Sequence, residues 1–288
     1  MIKFENYQYC YYQKVCDFLI EINKENNYHN NWNWARFEWM HEHPLTKKEL
    51  LKYMGLWFDD DHLVAATLID MYFGEAFVGV LNKYHYLYPE VLKYAFGNLK
   101  DDQGLGIAIH DDNKEEIKEA IKYGFLKTDS KENDCVIKLE EELTIILPCG
   151  FKSETYDAQN NPLEIEWLFW QGFDHGNNKE EFLKQYKKPS GKRPHFNKYL
   201  CIVIRNDQNE LVASASTWYD ERTDYAYLEP VCVVPEYRKM GLGKAAVYLA
   251  LNHARKLGAK TAIVNSNQEF YKHIGFILKN HFPFYWKK

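Results

Sequence analysis

The residues best suited to chemistry in this chain lie between positions 233 and 245, Val-Val-Pro-Glu-Tyr-Arg-Lys-Met-Gly-Leu-Gly-Lys-Ala. Gly241 and Gly243 remove two Cβ atoms where backbone must approach a ligand, and the free amides of a first helical turn point at any anion seated there. Arg238, Lys239 and Lys244 add positive charge, so the stretch reads as a pyrophosphate cradle. Three phosphate-binding patterns compete for it. A Walker loop requires Gly-Lys-Ser or Gly-Lys-Thr, whereas Ala245 follows Gly243-Lys244 and leaves no hydroxyl for magnesium. A dinucleotide fingerprint tolerates Ala246 at its third glycine, but it belongs after the first strand of a βαβ unit and this loop stands late in the chain. The pattern Arg/Gln-x-x-Gly-x-Gly/Ala is met at every defined position by Arg238-Lys239-Met240-Gly241-Leu242-Gly243. On the glycines alone, a plain tight turn between strand and helix is the competing structural reading.

The elements that must position this loop are legible on both sides. Residues 225–234 are rich in β-branched and aromatic types and read as a strand, and residues 245–257 repeat apolar positions at helical spacing. Pro230 has no amide to give a ladder, so this strand lies at an edge or carries a bulge. Downstream, residues 261–264 read as a short buried strand, followed by Asn265, then Tyr271 and Gly275-Phe276. This order of elements resembles the coenzyme A site of the GCN5-related N-acetyltransferases. The resemblance implies acetyl-CoA as cosubstrate and no metal. It maps protonation of the departing thiolate to Tyr271 and deprotonation of the amine, directly or through water, to Glu229. The backbone of Val231, Cys232 and Val233 would pair with the pantetheine arm, with Asn265 beyond it. Each residue also has a bland reading: a solvated strand face for Glu229, core for Tyr271, a small buried hydrophobe for Cys232, a helix cap for Asn265.

The two halves of the chain read as copies. Leu63-Val-Ala-Ala-Thr67 answers Leu211-Val-Ala-Ser-Ala215, Tyr88-Pro89-Glu90 answers Val234-Pro235-Glu236, Gly106-Ile-Ala-Ile109 answers Lys260-Thr-Ala-Ile263, and Tyr123-Gly124-Phe125 answers Ile274-Gly275-Phe276. A charge run at 140–142 and a Pro/Gly stop at 148–150 suggest the linker. The fold expected by resemblance is α/β of the α+β type: two tandem domains, 1–142 and 143–288, each a mixed, mostly antiparallel sheet flanked by helices. The first copy lacks the chemistry: Ala120 stands where the second has Tyr271, Lys83 where it has Glu229, and no arginine or paired glycines follow Pro89. It reads as a degenerate copy, the second as the catalytic one.

Composition sets the remaining bounds. The chain has 288 residues with 46% hydrophobic and 27% charged, no apolar run long enough for a membrane span and no cationic leader, so cytoplasmic residence is the expectation. Six cysteines without Cys-x-x-Cys spacing read as free thiols, and the histidines lack the spacing of a metal motif. The half up to Glu142 carries net charge −10 and the remainder +5, without the dense basic stripe that nucleic acid would need. Residues 30–40, with three tryptophans, read as core, while the family resemblance makes 167–175 the candidate for contacting a small amine acceptor, which the acids Glu164, Glu166 and Asp174 could attract. Two other function classes fit the sequence: a non-catalytic acyl-CoA sensor and an aminoacyl transferase on the same tandem fold. Monomer and homodimer are both compatible with it.

Overall fold

Two glycines that end helices display the repeat most directly. Gly124 and Gly275 both sit in the left-handed region, at φ 97° and 95°, where only glycine is free of a Cβ penalty. After each, a buried phenylalanine closes the turn with the same bond: Phe125 donates to the Ala120 carbonyl and Phe276 to the Tyr271 carbonyl, both at 3.0 Å. Ala120 and Tyr271 are therefore equivalent positions. The computed structural model describes residues 1–26, 31–186 and 193–288, so Asn30, at the head of the aromatic segment, lies outside it.

The chain runs through the same succession of elements twice. First come β1 (Ile2–Asn6), α1 (Tyr12–Glu25), α2 (Trp34–His41), β2 (Gly55–Asp59), β3 (His62–Leu68), β4 (Glu75–Val80), α3 (Tyr88–Leu99), β5 (Leu105–Ala108), α4 (Lys114–Lys122) and β6 (Leu126–Lys138). Then follow β7 (Lys152–Thr155), α5 (Pro162–Gly172), α6 (Lys179–Gln185), β8 (Cys201–Arg205), β9 (Leu211–Tyr219), β10 (Tyr225–Val233), α7 (Leu242–Leu257), β11 (Thr261–Val264), α8 (Glu269–His273) and β12 (Ile277–Lys287).

By compactness the chain divides into two units, but not at a single cut. The first comprises Met1–Cys135, Asn265–Asn267 and Leu278–Lys288; the second comprises Val136–Val264 and Gln268–Ile277. In the first unit the strands are ordered β1-β2-β3-β4-β5-β12-β6, and in the second the end of β6 is followed by β11-β10-β9-β8-β7. The pairs β1–β2, β2–β3, β3–β4, β5–β12, β7–β8, β8–β9 and β9–β10 are antiparallel, whereas β4–β5 and β10–β11 are parallel. The first unit thus takes a strand from the far end of the chain: Phe284, Tyr285 and Trp286 of β12 lie opposite Ala108, Ile107 and Gly106.

Hydrophobic periodicity explains the cores. On α1, Val15, Phe18, Leu19 and Ile22 are buried, the i, i+3, i+4, i+7 stripe of a helix laid on a sheet. Trp32, Trp34 and Trp39 are buried as expected of core, and Asn33 caps α2 by accepting from the amides of Ala35 and Arg36. On α7 the buried face combines small residues, Gly243, Ala245, Ala246, Ala250 and Ala254, with Leu242, Val247 and Leu251, and it packs on β8, β9 and β10. In both units a 3-10 turn joins strand to helix: Asn82–Leu87 runs straight into α3, with Pro89 in its first turn, whereas Pro235–Tyr237 is followed by Arg238–Met240 before Gly241 opens α7. That intervening stretch is the expected cradle.

Candidate active site

The site is built where β10 loses its neighbour. The parallel ladder pairs Tyr225, Ala226 and Tyr227 with Thr261, Ala262 and Ile263 and then stops. On the other edge, the antiparallel ladder to β9 shifts register between Leu228 and Val231, placing a bulge at Glu229-Pro230. The bulge expected from Pro230 is there, and beyond it Val231 and Val233 are half-buried while Cys232 is buried.

Glu229 is held from both sides. The Tyr227 hydroxyl donates to its Oε2 at 2.7 Å, and the Trp218 indole N–H donates to its backbone carbonyl at 2.7 Å. Tyr271, on the short helix α8, is 8% exposed. Burial pushes its phenol well above the ordinary tyrosine range, and the negative charge of Glu229 pushes it further. The two expected catalytic residues are thus within electrostatic reach of one another.

The cradle has the backbone that the glycines foretold. Lys239 and Gly241 both adopt positive φ, 64° and 86°, and Gly241 caps α7, whose first turn includes the buried Leu242 and Gly243. A Cβ on Gly243 would meet Val233 Cγ2 at 3.2 Å and the Phe270 ring at 3.3 Å, while nothing lies within 4 Å of one on Gly241. Gly241 is therefore required for its conformation and Gly243 for close approach. Lys239, Met240 and Lys244 are exposed, and Lys244 Nζ lies 5.1 Å from the Tyr248 ring centre.

Arg238 has a different place from the other cations. Its guanidinium donates to the Val233 carbonyl at 3.1 Å, the Gly172 carbonyl at 2.9 Å and Asp174 Oδ1 at 2.9 Å. It fastens the end of α5 to the end of β10. Gly172 allows that approach, since a Cβ there would stand 2.7 Å from Cys232 Cβ. Burial raises the Cys232 thiol to about 12, so it rests as a thiol inside the core.

Other expected residues also find protein partners. Asn265 Nδ2 donates to the Asn31 carbonyl at 3.1 Å, within the first unit. Asp174 pairs with Arg238, and Glu164 is bound by Arg205 at 2.5 Å and by the Tyr156 hydroxyl at 2.7 Å. Glu166 remains as the acid of that group whose carboxyl is raised by burial, with Arg193 opposing. Tyr227, Trp218 and Gly172 were not singled out in the sequence. Tyr227 stands two residues before Glu229, on the same side of the strand by period, and that was its one available signal.

Residues 163–276 match the Acetyltransferase (GNAT) family. This stretch, less than half of the chain, resembles a GNAT domain. An uncharacterized N-acetyltransferase of Methanocaldococcus jannaschii is 26% identical over 145 residues, 47% of this chain and 64% of that protein. The chain therefore spans less than two thirds of that relative. Among solved structures, a tandem GNAT protein from the clavulanic acid biosynthesis pathway superposes with TM-score 0.62 at 12% identity, covering 99% of this chain and 98% of that one. A GCN5-related N-acetyltransferase from Sphaerobacter thermophilus gives 0.58 at 10% identity over 99% and 95%. These likenesses extend the tandem fold across the whole chain, beyond the matched stretch.

Proposed function

We propose that the GNAT-like domain is an N-acetyltransferase that moves an acetyl group from acetyl-CoA to a primary amine of a small molecule or peptide, directly and within a ternary complex. The observation that carries this reading is the meeting of Glu229 and Tyr271 beside the gap where β10 leaves β11, next to a helix start opened by Gly241. The residues present fit the cosubstrate: a cradle without Cβ atoms at Gly241 and Gly243, with exposed Lys239 and Lys244 beside it, suits a pyrophosphate. When bound, acetyl-CoA supplies the thioester carbonyl carbon.

Within the chain, Glu229 takes a proton from the acceptor ammonium, leaving a neutral nucleophile, and Tyr227 keeps its carboxylate oriented. The amine nitrogen bonds to the acetyl carbon as the carbon–sulfur bond breaks. Tyr271, whose raised pKa keeps it protonated at neutral pH, gives its proton to the departing sulfur. A backbone amide after the bulge, among Val231 to Val233, where the ladder to β11 has ended, would hold the thioester oxygen. The high pKa of Cys232 favours direct transfer over an acyl-cysteine route.

Thiol release from acetyl-CoA, measured across a panel of amines, tests the proposal. Amine-dependent release is expected to fall about 100-fold in Tyr271→Phe, within the usual range for a general acid. Release at background rate with every amine sinks the enzyme reading and leaves an acyl-CoA sensor. Failure of acetyl-CoA to bind at all favours the aminoacyl transferase.

A further inference from the structure

The first unit repeats the gap between parallel strands but with different chemistry around it. Strands β4 and β5 pair only at Glu75 with Gly106 and Ala76 with Ile107, then part. Between their diverging ends lies a cavity of about 250 Å³, walled by Val78, Val80, Ala108 and Phe282. This is just below the usual range of small-ligand pockets, about 300–1,000 Å³, and suits a ligand of a few heavy atoms. No arginine or lysine is among the described residues that line it, whereas Glu25, Asp112, Glu115 and Glu116 do, together with His85 and His110.

Glu116 is the inner acid of this group. Burial raises its carboxyl to about 7, and the group opposing that rise is the neutral Asn113. Its position three residues after the Asn113 cap would suit a capping box. That role is taken, because the Asn113 amide donates to the His110 carbonyl at 2.9 Å. His85 Nε2 is buried without a hydrogen-bond partner, while its Nδ1 stands 3.7 Å from Glu115. A desolvated carboxylate opposed by no cation, two imidazoles and a rim of exposed acids line the same small volume.

We infer that this cavity is a second ligand site that takes a small organic cation, a protonated amine or diamine, with the ammonium against Glu116 and the carbon chain against Val78, Val80 and Phe282. An anionic ligand would meet four carboxylates and no fixed positive charge. The site stands apart from the acetyl-transfer reading, since Glu229 and Tyr271 contribute nothing to its lining.

Calorimetric titration of the full chain without acetyl-CoA tests it, using 1,4-diaminobutane, butane-1,4-diol and succinate as probes. Saturable binding of the diamine, and not of the diol or succinate, is expected. Glu116→Gln should weaken it about tenfold or more, the scale of a charged hydrogen bond. Glu115→Lys, at a site 82% exposed and outside the core, should weaken it severalfold. Glu229→Gln should leave it unchanged, which separates this cavity from the acceptor groove of the GNAT-like domain. Absence of saturable diamine binding, equal affinity in Glu116→Gln and Glu115→Lys, or loss confined to Glu229→Gln would each overturn the inference.

Discussion

Tyr227 and Trp218 restrain Glu229 at opposite ends, one at its carboxylate and one at its carbonyl. In its proposed role as base, Glu229 so held reacts from one orientation, and each restraint adds to rate through positioning. Tyr227→Phe is accordingly expected to lower kcat about tenfold, the value of one hydrogen bond to a charged group, with KM for acetyl-CoA little changed. A variant in which KM alone rose would place Tyr227 in binding instead. The pH dependence follows from Tyr271. Its pKa is raised by burial and then by Glu229, so the phenol is protonated below that raised value, and its ionisation cannot depress the rate anywhere below the ordinary tyrosine pKa, about 10. A falling alkaline limb centred near pH 8 to 9 that disappeared in Tyr271→Phe would refute this. Asp134 gives a matching prediction for stability. It is fully buried, and burial, reinforced by the Glu132 charge, raises its carboxyl well above the usual range, with Arg36 and Asn280 opposing. Because the folded-state pKa exceeds the unfolded one, the folded state is favoured at acid pH and loses stability as pH rises through the folded value. Asp134→Asn should therefore melt a few degrees higher than the wild type at pH 8 and no higher at pH 4, as followed by circular dichroism.

The junction of α5, β10 and α7 depends on two glycines and one arginine. Gly172→Ala would drive a Cβ to 2.7 Å from Cys232 Cβ, an overpacked contact of two backbone-borne atoms that costs about 1–3 kcal/mol. Urea unfolding should show this as a lowered midpoint at unchanged slope, and an unchanged midpoint would mean that α5 moves freely. Much of this junction was legible beforehand. Gly241 and Gly243 announced the cradle because no other residue type meets both a positive φ and a close approach, and Pro230 announced the bulge because it lacks an amide. Gly124 and Gly275 likewise announced the repeat. What stayed hidden was the use of side chains whose type allows many roles. Arg238 read as a cation for phosphate but ties three acceptors from α5 and β10, and Asn265 donates to Asn31. A guanidinium or an amide carries the same sequence signal whether its partner is a ligand or a carbonyl far along the chain.

At the scale of the molecule, the feature that the sequence concealed is the place of β12. Consecutive strands are usually neighbours, so a reader of the sequence puts β6 beside β5. The structure puts β12 between them. Nothing in residues 277–287 or 126–138 distinguishes the two choices, since both segments are long and mixed in polarity, and strand pairing is decided by backbone bonds common to all residues. The arrangement has a consequence for any attempt to cut the chain. A fragment of residues 1–142, the apparent first domain, lacks Leu278–Lys288, which belongs to its unit. It would leave β5 without the partner that pairs with Leu105 through Ala108 and would bare the hydrogen-bonding edges of both β5 and β6, which promote aggregation. The fragment is expected to be unfolded or aggregated alone, and to gain dispersed amide signals by nuclear magnetic resonance when a peptide of residues 277–288 is added. A 1–142 fragment that melts cooperatively without the peptide would show that β6 can close against β5 by itself. In that case β12 would be an alternative partner for β5 and not an obligatory one.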